Sequence, residues 1–168
     1  MSKNDAYRIR DARTEDLAVI TDIYNAVILE GGLTADLALF SIESKQGWFR
    51  ELQKSQDIFV LEKDSVVTGY FYFSPWRRGR EALKHVAEIS FYISSHYRGQ
   101  GLGSMIMNRA ITLAENKRLH HLLAILLDSN EASVGLLKKF GFDIAGHLPD
   151  IAQIRGRSYG QYLMLKKI

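Results

Sequence analysis

The chain has 168 residues, of which 46% are hydrophobic and 24% charged, as expected for one soluble globular domain. It contains no cysteine, which excludes disulfides and thiolate metal sites and favours a reducing cytoplasm. The net charge of +3 suits a small anionic ligand but is too weak to indicate nucleic-acid binding.

Hydrophobic periodicity divides the chain into strands and helices. Thr14 is the predicted N-cap of the first helix, and Gly31 and Gly141 are glycines of the kind that end helices. The predicted elements, in chain order, are a strand at 7–11, a helix from Thr14 to Gly31, a second helix around Trp48, strands at 58–62, 66–74 and 86–94, a helix at 102–117, a strand at 122–127, a helix at 130–140, and strands at 144–148 and 158–166.

This order of elements predicts a mixed α/β (α+β) fold, in which a central sheet of about seven strands carries helices on both faces. Residues 122–127 have the uninterrupted apolar pattern of a strand that is buried on both sides. The chain has only two prolines and no Ser/Gly-rich linker. We therefore expect one domain that spans residues 1–168.

The segment Tyr97–Met107, YRGQGLGSMIM, has three glycines at alternate positions between a predicted strand and a predicted helix. A Walker phosphate loop is excluded because no lysine follows the glycines. A dinucleotide-binding fingerprint is disfavoured because the third glycine comes one residue early and the segment lies past mid-chain. A tight turn alone would account for one or two of the glycines.

The remaining interpretation is the pattern R-x-x-G-x-G, formed by Arg98, Gly101 and Gly103. Between a strand and a helix N-terminus, such a segment leaves backbone N–H groups unpaired, and the helix dipole adds roughly half a positive charge there. A turn of this kind binds a diphosphate through its main chain. Side chains at Gly99, Gly101 and Gly103 would hold the phosphates away, which explains why they are absent.

With this motif, the sequence resembles the GNAT superfamily of acyl-coenzyme A-dependent N-acyltransferases over nearly the whole chain. A second block, NEASVGLLKKFGF at Asn130–Phe142, matches that family's N-x-x-(A/S)-x-x-L…G-F pattern. The segments IYNAVI, GWF, RGREA and AEISFYI are similar to those of the phosphinothricin N-acetyltransferase subgroup. The resemblance implies a single N-acetyltransferase domain whose central strands splay apart.

The resemblance also implies that acetyl-CoA is the acyl donor and lies in the gap between the splayed strands. Backbone groups of the central strand would hold the pantetheine arm, and the glycine turn would hold the diphosphate. The residues implied for the coenzyme are Phe91, Tyr92, Ile93, Arg98, Gly99, Gln100, Gly101, Leu102, Gly103, Ser104, Asn130 and Ser133.

Glu88 is the candidate general base, because it is the one carboxylate in an otherwise uncharged predicted strand. Alternation puts it on the same strand face as Ser90 and Tyr92. Burial would raise its pKa toward a range useful for accepting a proton, directly or through a water. The resemblance supports this role, since the subgroup also has a glutamate here. The alternative is that Glu88 pairs with a nearby arginine, Arg78 or Arg80.

Acyl transfer also needs an oxyanion donor and an exit for the thiolate. A central-strand amide, that of Tyr92 or Ile93, is the expected donor. Many members of the family that the sequence resembles have tyrosine or histidine at the place of Leu137, and that group is often assigned to protonating the thiolate. Leucine cannot do so. Either no side-chain acid is needed, or another group serves, or the domain is a non-catalytic coenzyme A-binding sensor.

The acceptor implied by the resemblance is a small primary amine, in particular an amino acid or an analogue of the phosphinothricin or methionine sulfoximine type. Without a cysteine to carry the acetyl group, attack would be direct. Arg78 and Arg80 match arginines of the subgroup and suit a carboxylate or phosphinate. Tyr24, Thr34 and Trp48 would line the acceptor pocket between the first helices and the sheet, with roles as core aromatics and a turn threonine as the alternatives.

Four positions depart from the subgroup's pattern. Leu83 and Val86 stand where the subgroup often has tyrosine and threonine. Its C-terminal tryptophan and aspartate are also missing, near Ser158 and Gly160. These departures weaken the argument for phosphinothricin itself within that class of acceptors.

Other partners are not indicated by the sequence. The five histidines lack the spacing of a metal site, since His120 and His121 are adjacent and the others lie in different segments. No recognition helix, stacking motif, membrane span or signal peptide is visible, so we expect a cytoplasmic enzyme without nucleic-acid or membrane partners. Hydrophobic C-terminal strands and the habit of the resembled family favour a homodimer.

Overall fold

The computed structural model describes residues 7–168, which form seven strands and four α-helices in the predicted order. The strands are β1 (Tyr7–Asp11), β2 (Ile58–Lys63), β3 (Val66–Pro75), β4 (Val86–Ile93), β5 (His121–Leu127), β6 (Asp143–Ile154) and β7 (Arg157–Lys167). The helices are α1 (Leu17–Glu30), α2 (Ile42–Lys54), α3 (Leu102–Asn116) and α4 (Glu131–Lys139). The predicted mixed α/β fold is confirmed.

The seven strands form one sheet in the order β1-β2-β3-β4-β5-β7-β6, and its two central strands separate part-way along their length. β4 and β5 run parallel, but their pairing covers three residue pairs and ends where Glu88 faces Leu123. Beyond this point β4 stays paired with β3 as far as Ile93, and β5 stays paired with β7 as far as Leu127. The central strands therefore splay, as predicted, and a gap opens between them.

Helices cover both faces of the sheet and enclose two hydrophobic cores. α3 and α4 pack on one face of the sheet, and Ile106 is fully buried in that core. α1 and α2 pack on the other face, and Phe49 is fully buried in the second core. The side chains of β4 alternate between these cores, with Ile89 in the first and Tyr92 against the second. Glu88 shares the face of Tyr92, so it lies on the side of α1 and α2. No helix among residues 7–168 is long and apolar enough to cross a membrane.

The first helix begins later than predicted. Thr14 starts a single 3₁₀ turn, and the α-helix begins at Leu17. Arg13 is the N-cap of this turn, and Asp16, its third residue, accepts the backbone N–H of Arg13 at 2.7 Å while Arg10 holds the same carboxylate at 2.6 and 2.9 Å. An ionised carboxylate is a stronger acceptor than a threonine hydroxyl. The prediction of Thr14 as N-cap is therefore wrong.

The last two strands are longer than their sequence patterns indicate. β6 runs through Pro149 and Asp150, which interrupt the alternation, and its register with β7 shifts between Leu148 and Ala152. A bulge absorbs extra residues without ending the pairing. Because β6 is an edge strand, it also tolerates a proline.

Asn130 caps α4, and its replacement gives a testable change in stability. Its side-chain oxygen accepts the backbone N–H of Ser133 at 3.2 Å. We expect Asn130→Ala to lower the free energy of unfolding by about 1 kcal/mol, and Asn130→Asp to retain most of it. Urea unfolding measures both, with Asn116→Ala, at the far end of α3, as the control. Equal stability of Asn130→Ala and the native protein would contradict the capping role.

Candidate active site

The gap between β4 and β5 is the entrance to a cleft of about 380 Å³. Its walls come from both splayed strands and from the first turns of α3 and α4. The lining residues that were predicted for the coenzyme are Phe91, Tyr92, Ile93, Arg98, Gly99, Gly101, Leu102, Gly103, Ser104, Asn130 and Ser133. Gln100 does not line the cleft, because its side-chain oxygen turns away to accept the hydroxyl of Tyr7 at 3.0 Å.

Only alternate residues of β4 direct their backbone groups into the gap. The amide of Ser94 donates to Thr68 at 2.9 Å, across the antiparallel pairing of β4 with β3. By alternation, the backbone groups of Tyr92 also face β3, whereas those of Phe91 and Ile93 face the gap. The backbone of Tyr92 is therefore not suited to bind the pantetheine arm, which was the role expected of it. The backbone groups of Phe91 and Ile93 are suited to that role.

The glycine turn has the backbone conformation that its sequence demands. Gly99 and Gly101 have φ values of 75° and 82°, in the left-handed region that disfavours other residues. A Cβ atom at either position would meet no protein atom within 4 Å, so both glycines border open space. Gly101 immediately precedes α3, and the first amides of a helix have no partner in a preceding turn. The turn thus offers unpaired N–H groups to an anion.

Gly103 is a glycine for another reason. A Cβ atom there would lie 2.8 Å from a methyl group of Leu136, because α3 passes close to α4 at this point. The sequence interpretation assigned the missing side chain of Gly103 to the phosphates. The close approach of Leu136 adds helix packing as a second reason for a small residue there.

Arg98 connects three parts of the site instead of pointing freely into it. Its guanidinium binds the carboxylate of Glu30, at the end of α1, at 2.6 and 2.9 Å. Its Nε also donates to the carbonyl oxygen of Ile93 at 3.0 Å. This two-pronged contact fixes α1, the end of β4 and the glycine turn relative to one another.

Lys139 adds a positive charge that sequence analysis missed. Its ammonium lies 3.3 Å from the hydroxyl of Ser104, in the first turn of α3. No local pattern indicates that the end of α4 returns to the start of α3, so this contact depends on the tertiary fold.

Glu88 lies half-buried at the last pair of the β4–β5 ladder, where the two strands part. Burial raises the pKa of its carboxyl above the usual range. Within the described part of the chain it forms no ion pair with Arg78 or Arg80, and Arg78 instead donates to Glu51 at 2.9 Å. A half-buried carboxyl with a raised pKa is suited to accept a proton near neutral pH.

Leu137 lines the cleft and is buried, so no proton donor stands at that position. The phenol of Tyr97 belongs to the same lining and was not among the predicted site residues. It directly precedes the arginine of the motif, which is the signal that could have drawn attention to it. The cleft thus contains a phenol although the expected position carries leucine.

The residues predicted for the acceptor do not line this cleft. Tyr24 and Thr34 meet, with their hydroxyl oxygens 3.0 Å apart, and the phenol also donates to the carboxylate of Asp36. Burial, together with Asp36, raises the pKa of Tyr24 above its usual range. These bonds hold the segment after α1 against α1 itself. Arg78 and Arg80 are exposed, in the connection between β3 and β4.

An aromatic cage around Lys45 was also missed. The ammonium lies 4.3, 4.0 and 4.8 Å from the ring centres of Tyr24, Phe40 and Trp48. Burial lowers the pKa of Lys45. The three rings come from α1, from the segment before α2 and from α2 itself, so no spacing in the sequence indicates the cage. Within residues 7–168 no group of three or more His, Asp or Glu side chains could hold a metal ion.

Comparison with known proteins agrees with the fold and the cleft. The family model described as the acetyltransferase (GNAT) family matches residues 20–142. The L-methionine sulfoximine/L-methionine sulfone acetyltransferase of Pseudomonas aeruginosa is 32% identical, over 89% of this chain and 87% of its own. The L-amino acid N-acyltransferase MnaT of Escherichia coli is 30% identical, over 94% of this chain and 89% of its own. The phosphinothricin N-acetyltransferase of Streptomyces coelicolor is 27% identical, over 92% and 90%.

Two solved structures are similar along almost their whole length. An N-acetyltransferase from Staphylococcus aureus superposes with a TM-score of 0.91 at 30% identity, covering 96% of this chain and 98% of its own. A Salmonella typhimurium protein solved with its cofactor acetyl-CoA has a TM-score of 0.90 at 28% identity, covering 97% and 94%. The chain belongs to the acetyltransferase (GNAT) family. It is an enzyme of the N-acetyltransferase class, with relatives in the phosphinothricin N-acetyltransferase group, as its sequence indicated.

Proposed function

We propose that this enzyme transfers the acetyl group of acetyl-CoA directly onto a small primary amine, an amino acid or an amino-acid analogue. The observation that carries the proposal is the separation of β4 and β5 beyond Glu88, which joins an open strand edge to the glycine turn. The names of relatives that act on L-amino acids and on methionine sulfoximine support the class of acceptor.

The residues of the cleft fit a coenzyme A molecule. The amides of Gly101, Leu102 and Gly103 would bind the diphosphate, with the hydroxyl of Ser104 and the positive charge of Lys139 beside them. The backbone of Phe91 and Ile93 would hold the pantetheine arm as an added strand does. Asn130 and Ser133 at the start of α4, which also border the cleft, would close its other side.

Acetyl-CoA supplies the acyl group as a thioester. Glu88 takes a proton from the acceptor amine, directly or through a water, so that the neutral nitrogen can attack. The amide of Ile93 or Phe91, directed into the gap, stabilises the negative charge that develops on the carbonyl oxygen. As the bond from the carbonyl carbon to sulfur breaks, the nitrogen would lose its second proton to the departing thiolate, directly or through a water, because the buried Leu137 offers no proton donor.

The domain organisation, cellular location and assembly of the protein are proposed from its composition and exposed surface. We propose a single domain over residues 1–168 that works in the cytoplasm as a homodimer, without nucleic-acid or membrane partners and without a metal. Three apolar side chains of β6 support the dimer, because Ile144, Leu148 and Ile151 are 43%, 41% and 56% exposed on an edge strand.

The proposal is tested by following thiol release from acetyl-CoA in the presence of a panel of amino acids, their analogues and simple amines. Turnover on at least one primary amine is the expected result. Coenzyme binding without turnover on any amine would contradict it and favour the alternative, a non-catalytic coenzyme A-binding sensor.

The pH dependence of the reaction follows from the environment of Glu88. Because burial raises its pKa, the carboxyl keeps its proton, and cannot accept another, up to a higher pH than an exposed glutamate. We expect the acidic limb of kcat/KM to have its midpoint clearly above the usual glutamate range. A pH–rate profile with a saturating coenzyme concentration measures it. An acidic limb in the usual glutamate range would contradict the assignment of Glu88 as the base.

A further inference from the structure

A second concavity, of about 280 Å³, lies beside the candidate base on the open surface of the sheet. It is lined by one titratable side chain and five apolar ones, which are His121, Trp76, Leu83, Val86, Leu123 and Leu165. These residues come from β4, β5, β7 and the connection between β3 and β4. We call it the apolar pocket.

The apolar pocket and the candidate base share a wall. Val86 lies two residues before Glu88 on β4, so both side chains project from the same face, roughly 6–7 Å apart along the strand. Leu123 is the pairing partner of Glu88 on β5. The last rung of the β4–β5 ladder therefore separates the coenzyme cleft from the apolar pocket, and Glu88 stands at their boundary.

This arrangement limits which acceptors can be bound productively. An amine whose nitrogen is near Glu88, with the thioester in the cleft, can extend its substituent toward Val86 and Leu123, which lie on the same face of the sheet as Glu88. A polar substituent would lose its hydration there without gaining hydrogen bonds from the apolar walls. An apolar substituent would gain from leaving water. Arg80 lies exposed in the connection that also contributes Leu83, three residues before it, and can receive a carboxylate of the acceptor.

We propose that the apolar pocket binds the side chain of the acceptor, and that the substrates are amino acids or amines with an aliphatic, thioether or aromatic side chain. This inference rests on the proposed function, because it assumes acetyl transfer at Glu88. Leu83 and Val86 determine the specificity. Both are half-buried and face the pocket, in positions where a hydroxyl-bearing residue would make the wall polar.

The test is the ratio of kcat/KM values between matched acceptors. Leucine, methionine and phenylalanine are compared with serine, aspartate and glutamine, and glycine serves as the acceptor without a side chain. We expect the apolar acceptors to exceed the polar ones by at least about tenfold. Turnover with no preference for apolar side chains would overturn the inference alone. A wild-type protein that acetylates no amine would overturn the proposed function and this inference with it.

Substitutions in the wall of the apolar pocket test whether its residues cause the preference for apolar acceptors. We expect Leu83→Gln to lower kcat/KM for leucine about tenfold, with little change for glycine and none in coenzyme affinity. Val86→Thr, which keeps the shape of the side chain, changes the ratio in the same direction and serves if Leu83→Gln fails to fold. Val66→Gln, at an exposed position in the distant β2–β3 hairpin, is the control.

The pocket has one competing occupant, a second copy of the chain. Size-exclusion chromatography with light scattering on the same variants separates the two. An unchanged oligomeric state with a changed acceptor ratio supports the inference. A Leu83→Gln protein that dissociates and keeps the native acceptor ratio would overturn it.

Discussion

Glu88→Gln is expected to lower turnover about 100- to 10,000-fold at neutral pH while leaving the affinity for acetyl-CoA nearly unchanged. Glutamine has the size of glutamate but cannot accept a proton, so the acceptor amine would stay charged and unreactive. Glu88 does not line the coenzyme cleft, which is why binding should persist. Thiol release measures the turnover, and isothermal titration calorimetry with coenzyme A measures the affinity.

Two comparisons make this result specific. Glu115→Gln, on the exposed side of α3, removes the same charge and should have no effect on turnover. The stability of Glu88→Gln should also exceed that of the native protein at neutral pH. The carboxyl pKa of Glu88 is higher in the folded protein than in the unfolded chain, so the folded protein keeps this proton up to a higher pH. The stability of the native protein therefore falls as the pH rises from the unfolded pKa through the folded pKa. Native turnover by Glu88→Gln would remove Glu88 from the mechanism.

The double change of Gly99 and Gly101 to alanine is expected to weaken coenzyme binding about 10- to 100-fold. Both glycines have positive φ values and border open space, so the folded chain has room for the two methyl groups. Those methyl groups would occupy the place next to the amides that a diphosphate needs. Alanine also resists the left-handed conformation, which would redirect the N–H groups.

The matched control for this strain is Gly156→Ala, in the turn between β6 and β7. Gly156 has a φ value of 77°, and a Cβ atom there would meet no protein atom within 4 Å, as at Gly99. Gly156→Ala should lower stability to the same degree per residue but leave coenzyme affinity unchanged. Equal loss of affinity in the control and the double variant would mean that the glycine turn acts through stability and not as a binding site.

The order of elements and the position of the glycine turn could be predicted from the sequence. Both depend on local physics. Alternation marks β4, an uninterrupted apolar run marks β5, and glycines mark the turn into α3. The splay of the central strands came from the family resemblance, since nothing in residues 86–93 or 121–127 alone reveals where their pairing stops.

Features that depend on two distant segments could not be predicted. The packing of Leu136 against Gly103, the bond of Arg98 to Glu30 and the position of Lys139 beside Ser104 all require the three-dimensional arrangement. The expectation that the backbone of Tyr92 contacts the coenzyme failed for the same reason, because those backbone groups face β3. Their direction is set by the register with β3, which the sequence of β4 does not contain.

The central claim is that the amides at the start of α3 bind the diphosphate of acetyl-CoA, and a crystal structure of the complex tests it most directly. Diphosphate oxygens within hydrogen-bonding distance of the amides of Gly101, Leu102 and Gly103, with the pantetheine arm along Phe91 and Ile93, are the predicted result. Coenzyme bound elsewhere on the protein, with β4 and β5 still separated and no ligand between them, would contradict it.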